Sequence, residues 1–173
     1  MKKLISTVMI GILVISNLPF ADAFGHEGTT DDVFTLESML TYAIEDEYLA
    51  HDSYEAIIDA FDVSRPFSNI IKAESRHITW VEDLMATYQI EIPTIDTSSH
   101  VVLPSTLSEA YAVGVQAEID NIALYQKFLE QDLPEDVRAV FEQLIKGSEA
   151  HLNAFETNLS RSSNSNQRRG RNR

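Results

Sequence analysis

Residues 36–61 read LESMLTYAIEDEYLAHDSYEAIIDAF, and their spacing decides the fold. Leu36, Leu40, Ala43, Glu47, Ala50, Tyr54, Ile57 and Phe61 recur at alternating steps of four and three, which places them along one face of a helix. Thr35, just ahead of the stretch, is a good N-cap. A face of this kind has to be buried against other helices.

Working outward, the same spacing returns three times. Helix two is predicted after Ser64 and Pro66, with Phe67, Ile70, Glu74, His77, Val81, Leu84 and Tyr88 on its seam and Pro93 marking its far end. Helix three opens at Ser105 or Thr106, where Thr106 and Glu109 have the spacing of a capping box, and its seam is Leu107, Tyr111, Gly114, Glu118, Asn121, Tyr125 and Phe128. Helix four starts near Pro134 and carries Val137, Phe141, Leu144, Ser148, His151 and Phe155. No β-alternating run competes with these. Short connections at Asp62 to Arg65 and at Gln131 to Leu133 make two antiparallel hairpins, and the long segment from Gln89 to Pro104 suits a crossover running the height of the bundle. The fold class expected is all-α: an antiparallel four-helix bundle over residues 35–160, with its long crossover between helices two and three.

The seam is not wholly apolar. It contains Glu47, Glu74, His77, Glu118 and His151, and a buried ionised carboxylate is costly unless it is paired or bound to a cation. Depth makes the coincidence specific. Glu47 lies about 14 residues before Phe61, while Glu74 and His77 lie about 9 and 12 after Arg65; at about 1.5 Å per residue all three share a level. Glu118, about 13 residues before Gln131, and His151, about 16 after Glu135, reach mid-height from the other hairpin. Within helix two, Glu74 and His77 are three residues apart on one face, so both can address a common ion. The pattern is repeated: Glu47 is followed by Tyr54 and then Glu74 and His77; Glu118 is followed by Tyr125 and then Ser148 and His151. The alternative, a metal-free hydrogen-bond network, crowds three carboxylates together against their mutual repulsion.

The stretches Glu47-Tyr-Leu-Ala-His-Asp-Ser-Tyr54, Ala73-Glu-Ser-Arg-His77, Ala112-Val-Gly-Val-Gln-Ala-Glu118 and Gly147-Ser-Glu-Ala-His-Leu-Asn-Ala-Phe155 resemble the ferritin-like superfamily, in particular its DUF2202 group of unknown function. The resemblance covers nearly all of residues 35–158. It implies that Glu47 and Glu118 are terminal metal ligands, Glu74 a bridging ligand, and His77 and His151 one ligand to each ion. Ser148 departs from the pattern, because ferritins and rubrerythrins carry a second bridging glutamate there. Glu149 is about 100° round the helix from that position and is a poor substitute. His51, one turn from Glu47, is an auxiliary candidate with a surface hydrogen bond as its alternative, and Asn121 is a candidate outer-layer donor. Tyr54 and Tyr125 read as core aromatics that hydrogen-bond ligand carboxylates, with redox-active tyrosines as the second reading.

Carboxylate and imidazole donors without thiolate suit iron, manganese or zinc. One or two ions are therefore expected, iron or manganese foremost, with Fe(II) oxidation or slow peroxide consumption as the leading activity and O2 or peroxide as co-reactant. The rival readings are a non-enzymatic metal sequesterer, a bundle stapled by an ion, and an interaction module working through its charged surfaces. The chain has 27 acidic and 13 basic side chains, a net charge of −14, which argues against nucleic acid as a partner. Arg161, Arg168, Arg169, Arg171 and Arg173 concentrate positive charge in residues 161–173, where few apolar side chains remain and a disordered basic tail is expected.

Residues 1–23 have the layout of a signal peptide: Lys2 and Lys3, an apolar stretch from Leu4 to Leu18, and Ala21-Asp22-Ala23 as cleavage site. The apolar run is too short to span a bilayer, so no anchor is expected after cleavage, and residues 24–34 form an N-terminal segment before the bundle. Export to the periplasm or the exterior follows. The chain has no cysteine, so stability comes from packing and metal rather than disulfides. No twin-arginine pair precedes the apolar stretch, which suggests export unfolded and metal loading outside the cytoplasm.

Overall fold

The computed structural model describes residues 34–171, with side chains described as far as Ser163. The signal segment and most of the N-terminal segment lie outside the described residues. Four helices make up the fold: α1 (Leu36–Phe61), α2 (Phe67–Thr87), α3 (Leu107–Leu129) and α4 (Glu135–Arg171). No strand occurs among the described residues.

Each helix begins where local chemistry favours it. The Thr35 side chain accepts from the Ser38 amide while the Ser38 hydroxyl accepts from the Thr35 amide, a reciprocal cap that supplies two of the otherwise unpaired donors of α1. Thr106 caps α3 by accepting from the Glu109 amide. The Glu109 carboxylate takes the Ser105 amide rather than that of Thr106, so the expected capping box is shifted by one residue on its return side. Asp62 closes α1 in the left-handed region, with φ 50°. α2 ends at Thr87, ahead of Pro93, and Gln89 at φ 56° turns the chain out of it.

The hairpins are α1 with α2 and α3 with α4; across their interface α1 faces α3 and α2 faces α4. The crossover between α2 and α3 holds a short 3-10 turn, Thr97–Ser99, that docks on α1, with the Thr97 hydroxyl donating to Asp52. Tyr88, at the start of this crossover, donates to Asp136 on α4 at 2.7 Å.

Two apolar layers fill the interior. One joins the beginning of α1 and the end of α2 to the end of α3 and the beginning of α4, and includes Leu40, Ile44, Met85, Tyr125, Phe128 and Phe141. The other lies at the opposite end, around Tyr54, Ile57, Phe67, Tyr111 and Phe155. Burying side chains of this size contributes roughly 1.5–3 kcal/mol each. The second layer depends on Gly114: a Cβ there would stand 2.7 Å from the Phe155 ring, so α3 and α4 meet closely only because that side chain is missing.

α4 passes the boundary expected at residue 160. The tail that was expected to be disordered is helical as far as Arg171. Between Arg161 and Gln167 no glycine or proline interrupts the helix, and Ser162 hydrogen-bonds Ser108 of α3 at 3.0 Å, carrying the pairing of α3 and α4 past the apolar seam.

Candidate metal centre

Between the two apolar layers sits a belt of buried polar groups. Glu47 on α1, Glu74 and His77 on α2, Glu118 on α3 and Ser148 and His151 on α4 are all at most 6 % exposed. The five residues expected to converge at mid-height do so, and they form two overlapping triads. In Glu47, Glu74 and His77, and again in Glu74, Glu118 and His151, one ligand atom from each residue lies within 4.8 Å of the others. Glu74 belongs to both.

The contacts follow that division. Nδ1 of His77 stands 3.1 Å from Oε2 of Glu47 and 3.0 Å from Oε2 of Glu74, both in hydrogen-bond alignment. Nδ1 of His151 stands 3.0 Å from Oε1 of Glu74 and 3.5 Å from Oε1 of Glu118, but it is aligned with neither. The two rings stack at 5.8 Å, joining α2 to α4. The tyrosines tie α1 to α3 by crossing over. Tyr54 on α1 donates to Oε1 of Glu118 on α3, and Tyr125 on α3 donates to Oε1 of Glu47 on α1, each at 2.8 Å. Burial first, then the adjacent carboxylates, hold both phenols well above 10, so they remain protonated donors at neutral pH.

The same crowding sets the protonation of the belt. Burial, reinforced by the Glu74 charge, lifts the Glu47 carboxyl from 4.5 to about 8. Glu74 moves the other way: burial opposes its charge, yet the imidazoles of His151 and His77 prevail and bring it down to about 2. Burial likewise opposes the charge of both histidines, but the carboxylates around them raise His77 to about 9 and His151 to about 10. Burial also raises Glu118. Protons thus sit on the imidazoles, balancing the carboxylates in the role that a divalent cation would otherwise fill.

Two buried atoms are left over: Oε2 of Glu118 and Nδ1 of His151 have no hydrogen-bond partner. Groups of this kind are rare in a folded interior, and a bound ion at this triad accounts for them. Their chemistry, one carboxylate oxygen and one imidazole nitrogen, fits iron, manganese or zinc. The residues therefore fit the metal that the pattern implies.

Other expected residues lie apart. Glu149 is exposed. Asn121 is half-buried and belongs to neither triad. His51 is half-buried, with Nδ1 3.0 Å from Asp52, in a separate surface group with Asp52 and Glu55. Sequence reasoning missed Gly147. A Cβ at that position would stand 2.4 Å from Cε1 and 2.6 Å from Nε2 of His77, so α4 offers bare backbone to the imidazole. The available signal was a glycine in a helix interior, where it costs about 1 kcal/mol relative to alanine and so calls for a packing reason. Trp80, half-buried with its ring 5.4 Å from that of His77, was missed as well.

The family model described as Rubrerythrin matches residues 38–159, a span that contains both triads and the two crossing tyrosines. The chain belongs to the rubrerythrin family. Within reach of this rubrerythrin-family domain is an uncharacterised protein of Methanocaldococcus jannaschii, 29% identical over 126 residues, which span 64% of this chain and 68% of the relative. A crystal structure of a hypothetical protein from Methanococcus jannaschii is similar at a TM-score of 0.67 and 25% identity, covering 77% of this chain and 85% of that one. The ferritin-like four-helix architecture is thus shared with a solved structure. No helix among the described residues is long and apolar enough to cross a membrane.

Proposed function

We propose that this rubrerythrin-family chain is an exported metal-dependent oxidoreductase of the DUF2202 kind, in which Glu47, Glu74, His77, Glu118 and His151 hold two ions of iron or manganese. The observation that carries the reading is the pair of overlapping triads sharing Glu74, with two of their buried donor atoms unpaired. A bound pair of such ions supplies one-electron chemistry toward O2 or peroxide, with Fe(II) oxidation as the simplest outcome.

The protein's own groups do the rest. Glu74 offers one carboxylate oxygen to each triad, Oε2 towards His77 and Oε1 towards His151, and so fixes the separation of the two positions. Tyr54 and Tyr125 each hold one oxygen of a terminal carboxylate; the second oxygen of Glu47 meets His77, and the second oxygen of Glu118 is left without a hydrogen bond. The apolar layers above and below exclude water from the belt, which strengthens every charge interaction in it.

A second reading, metal sequestration or a structural staple without turnover, is favoured by Ser148. It is buried at the place where di-iron relatives carry another bridging carboxylate, so only Glu74 spans both triads. Anaerobic loading of the full chain with Fe(II), followed by rapid mixing with O2 or peroxide, separates the two. Oxidation of about two irons per chain with consumption of the oxidant supports the oxidoreductase. Stable uptake without oxidation supports sequestration, and a chain that takes up no iron, manganese or zinc refutes both.

A further inference from the structure

The two triads are chemically similar but not equally satisfied. On the Glu47 side every facing atom has a partner: Oε1 of Glu47 accepts from Tyr125, Oε2 pairs with His77, and His77 Nδ1 also meets Oε2 of Glu74. On the Glu118 side Oε1 accepts from Tyr54, but Oε2 of Glu118 has no hydrogen-bond partner, and Nδ1 of His151 meets Glu74 and Glu118 at 3.0 and 3.5 Å without hydrogen-bond alignment. The His77 ring is further confined by the α4 backbone at Gly147 and by Trp80.

A cation entering the first triad has to displace two aligned hydrogen bonds between its own ligands. One entering the second breaks no aligned hydrogen bond between imidazole and carboxylate, only the unaligned ion pairs of His151, and it can satisfy Oε2 of Glu118, which has no partner. An unsatisfied buried polar atom carries the full desolvation penalty, whereas a satisfied one has recovered most of it. The geometry points to ordered filling: the Glu74, Glu118 and His151 position takes the first ion, and the Glu47, Glu74 and His77 position takes the second. This rests on the metal-binding reading above and goes beyond it by ranking the two positions. With about one such penalty relieved, the first step is tighter than the second by about fivefold or more.

The test is calorimetric titration of the metal-free full chain with Co(II) under anaerobic conditions, read in parallel with the fluorescence of Trp80, the chain's single tryptophan. Two steps are expected, and the fluorescence of Trp80, which abuts His77, is quenched mainly in the second. His77→Ala keeps the tight step within about threefold and loses the weak one. His151→Ala loses the tight step. The unmutated chain alone can overturn the inference, by quenching Trp80 fully with the first equivalent or by binding both ions with equal affinity; so can variants in which His77→Ala abolishes the tight step and His151→Ala spares it. Two ions bound in the reverse order refute the ranking and leave the metal-binding reading standing, whereas no uptake at all refutes that reading too.

Discussion

Gly147→Ala is a sharp test of how α4 meets the polar belt. On an ordinary exposed helix face the substitution stabilises by up to about 1 kcal/mol, because alanine is the better helix former. Here the new Cβ would stand 2.4 Å from Cε1 and 2.6 Å from Nε2 of His77. An ordinary carbon contact is at least about 3.5 Å, so either the imidazole or α4 has to give by about 1 Å. Overpacking of that kind costs about 1–3 kcal/mol. If the ring gives, its two hydrogen bonds to Glu47 and Glu74 go with it, at 3.1 and 3.0 Å in the parent, and bonds to charged partners contribute about 1.5–3 kcal/mol each. Strain and lost bonds together outweigh the propensity gain.

A net loss of at least about 1 kcal/mol follows, which for a domain of this size lowers the melting temperature by at least about 2–4 °C. The assay is thermal unfolding of the metal-free protein by circular dichroism, run on Gly147→Ala, His77→Ala and the double variant. In the His77→Ala background the imidazole is absent, so Gly147→Ala is neutral or stabilising there. The coupling between the two sites should therefore exceed about 1 kcal/mol. A Gly147→Ala protein that melts higher than the parent in both backgrounds would refute the close approach and, with it, the claim that bare backbone positions His77.

Further outcomes follow from the same belt. Glu74→Ala removes the one residue common to both triads, so metal content measured by elemental analysis falls at both positions; full retention would mean that the ions lie elsewhere. Tyr54→Phe should cost the metal-free protein more than Tyr125→Phe, by about 1 kcal/mol in denaturant unfolding, because it leaves both Glu118 oxygens unpaired while Glu47 keeps His77. Stability of the metal-free protein should fall as pH rises from about 6.5 to 10. His77 and His151 bind protons more tightly folded than unfolded, at about 9 and 10 against 6.5, so their contribution is complete below 6.5 and lost through those values. Glu47, raised to about 8 from 4.5, loses its share in the same direction, and a melting temperature that is flat from pH 6 to 9.5 would contradict this assignment. Ser148→Glu should tighten uptake of the second ion in calorimetry; unchanged affinity would place the Ser148 side chain off the site.

The four helices and the level of the site were legible because each rests on local regularity. A step of four and three marks a buried face, and similar residue counts from a hairpin turn set similar heights, so Glu47, Glu74 and His77 could be brought together from spacing alone. Glu149 was separable from the site for the same reason, since a rotation off the seam is also a matter of counting, whereas His51, one turn from Glu47, was an auxiliary candidate that only the structure sets apart with Asp52 and Glu55. α4 runs on past residue 160, where the expected boundary rested on composition and helix continuity was the question. Loss of apolar residues removes a reason to pack, but with no glycine or proline from Arg161 to Gln167 it supplies no reason to stop. Gly147 was missed because its role concerns His77 on another helix, and an approach so close that an added Cβ would stand 2.4 Å from the imidazole has no counterpart in either helix's own pattern.

The internal repeat shows where spacing stops being informative. Glu47 with Tyr54 and Glu118 with Tyr125 are each seven residues apart on one helix. Seven residues along a helix span about 10.5 Å, too far for a phenol to reach back to a carboxylate at the same height. Each hydroxyl instead crosses to the other helix, so the repeat works as a swap between α1 and α3. Two like hairpins joined in this way would be equivalent if their remaining residues matched. Among other differences they do not match at Glu74 and Ser148, which leaves one carboxylate shared by both imidazoles. It satisfies the alignment of His77 and not that of His151. The same substitution that weakens the case for tightly bridged di-iron chemistry therefore makes the two halves unequal, and unequal halves fill in sequence.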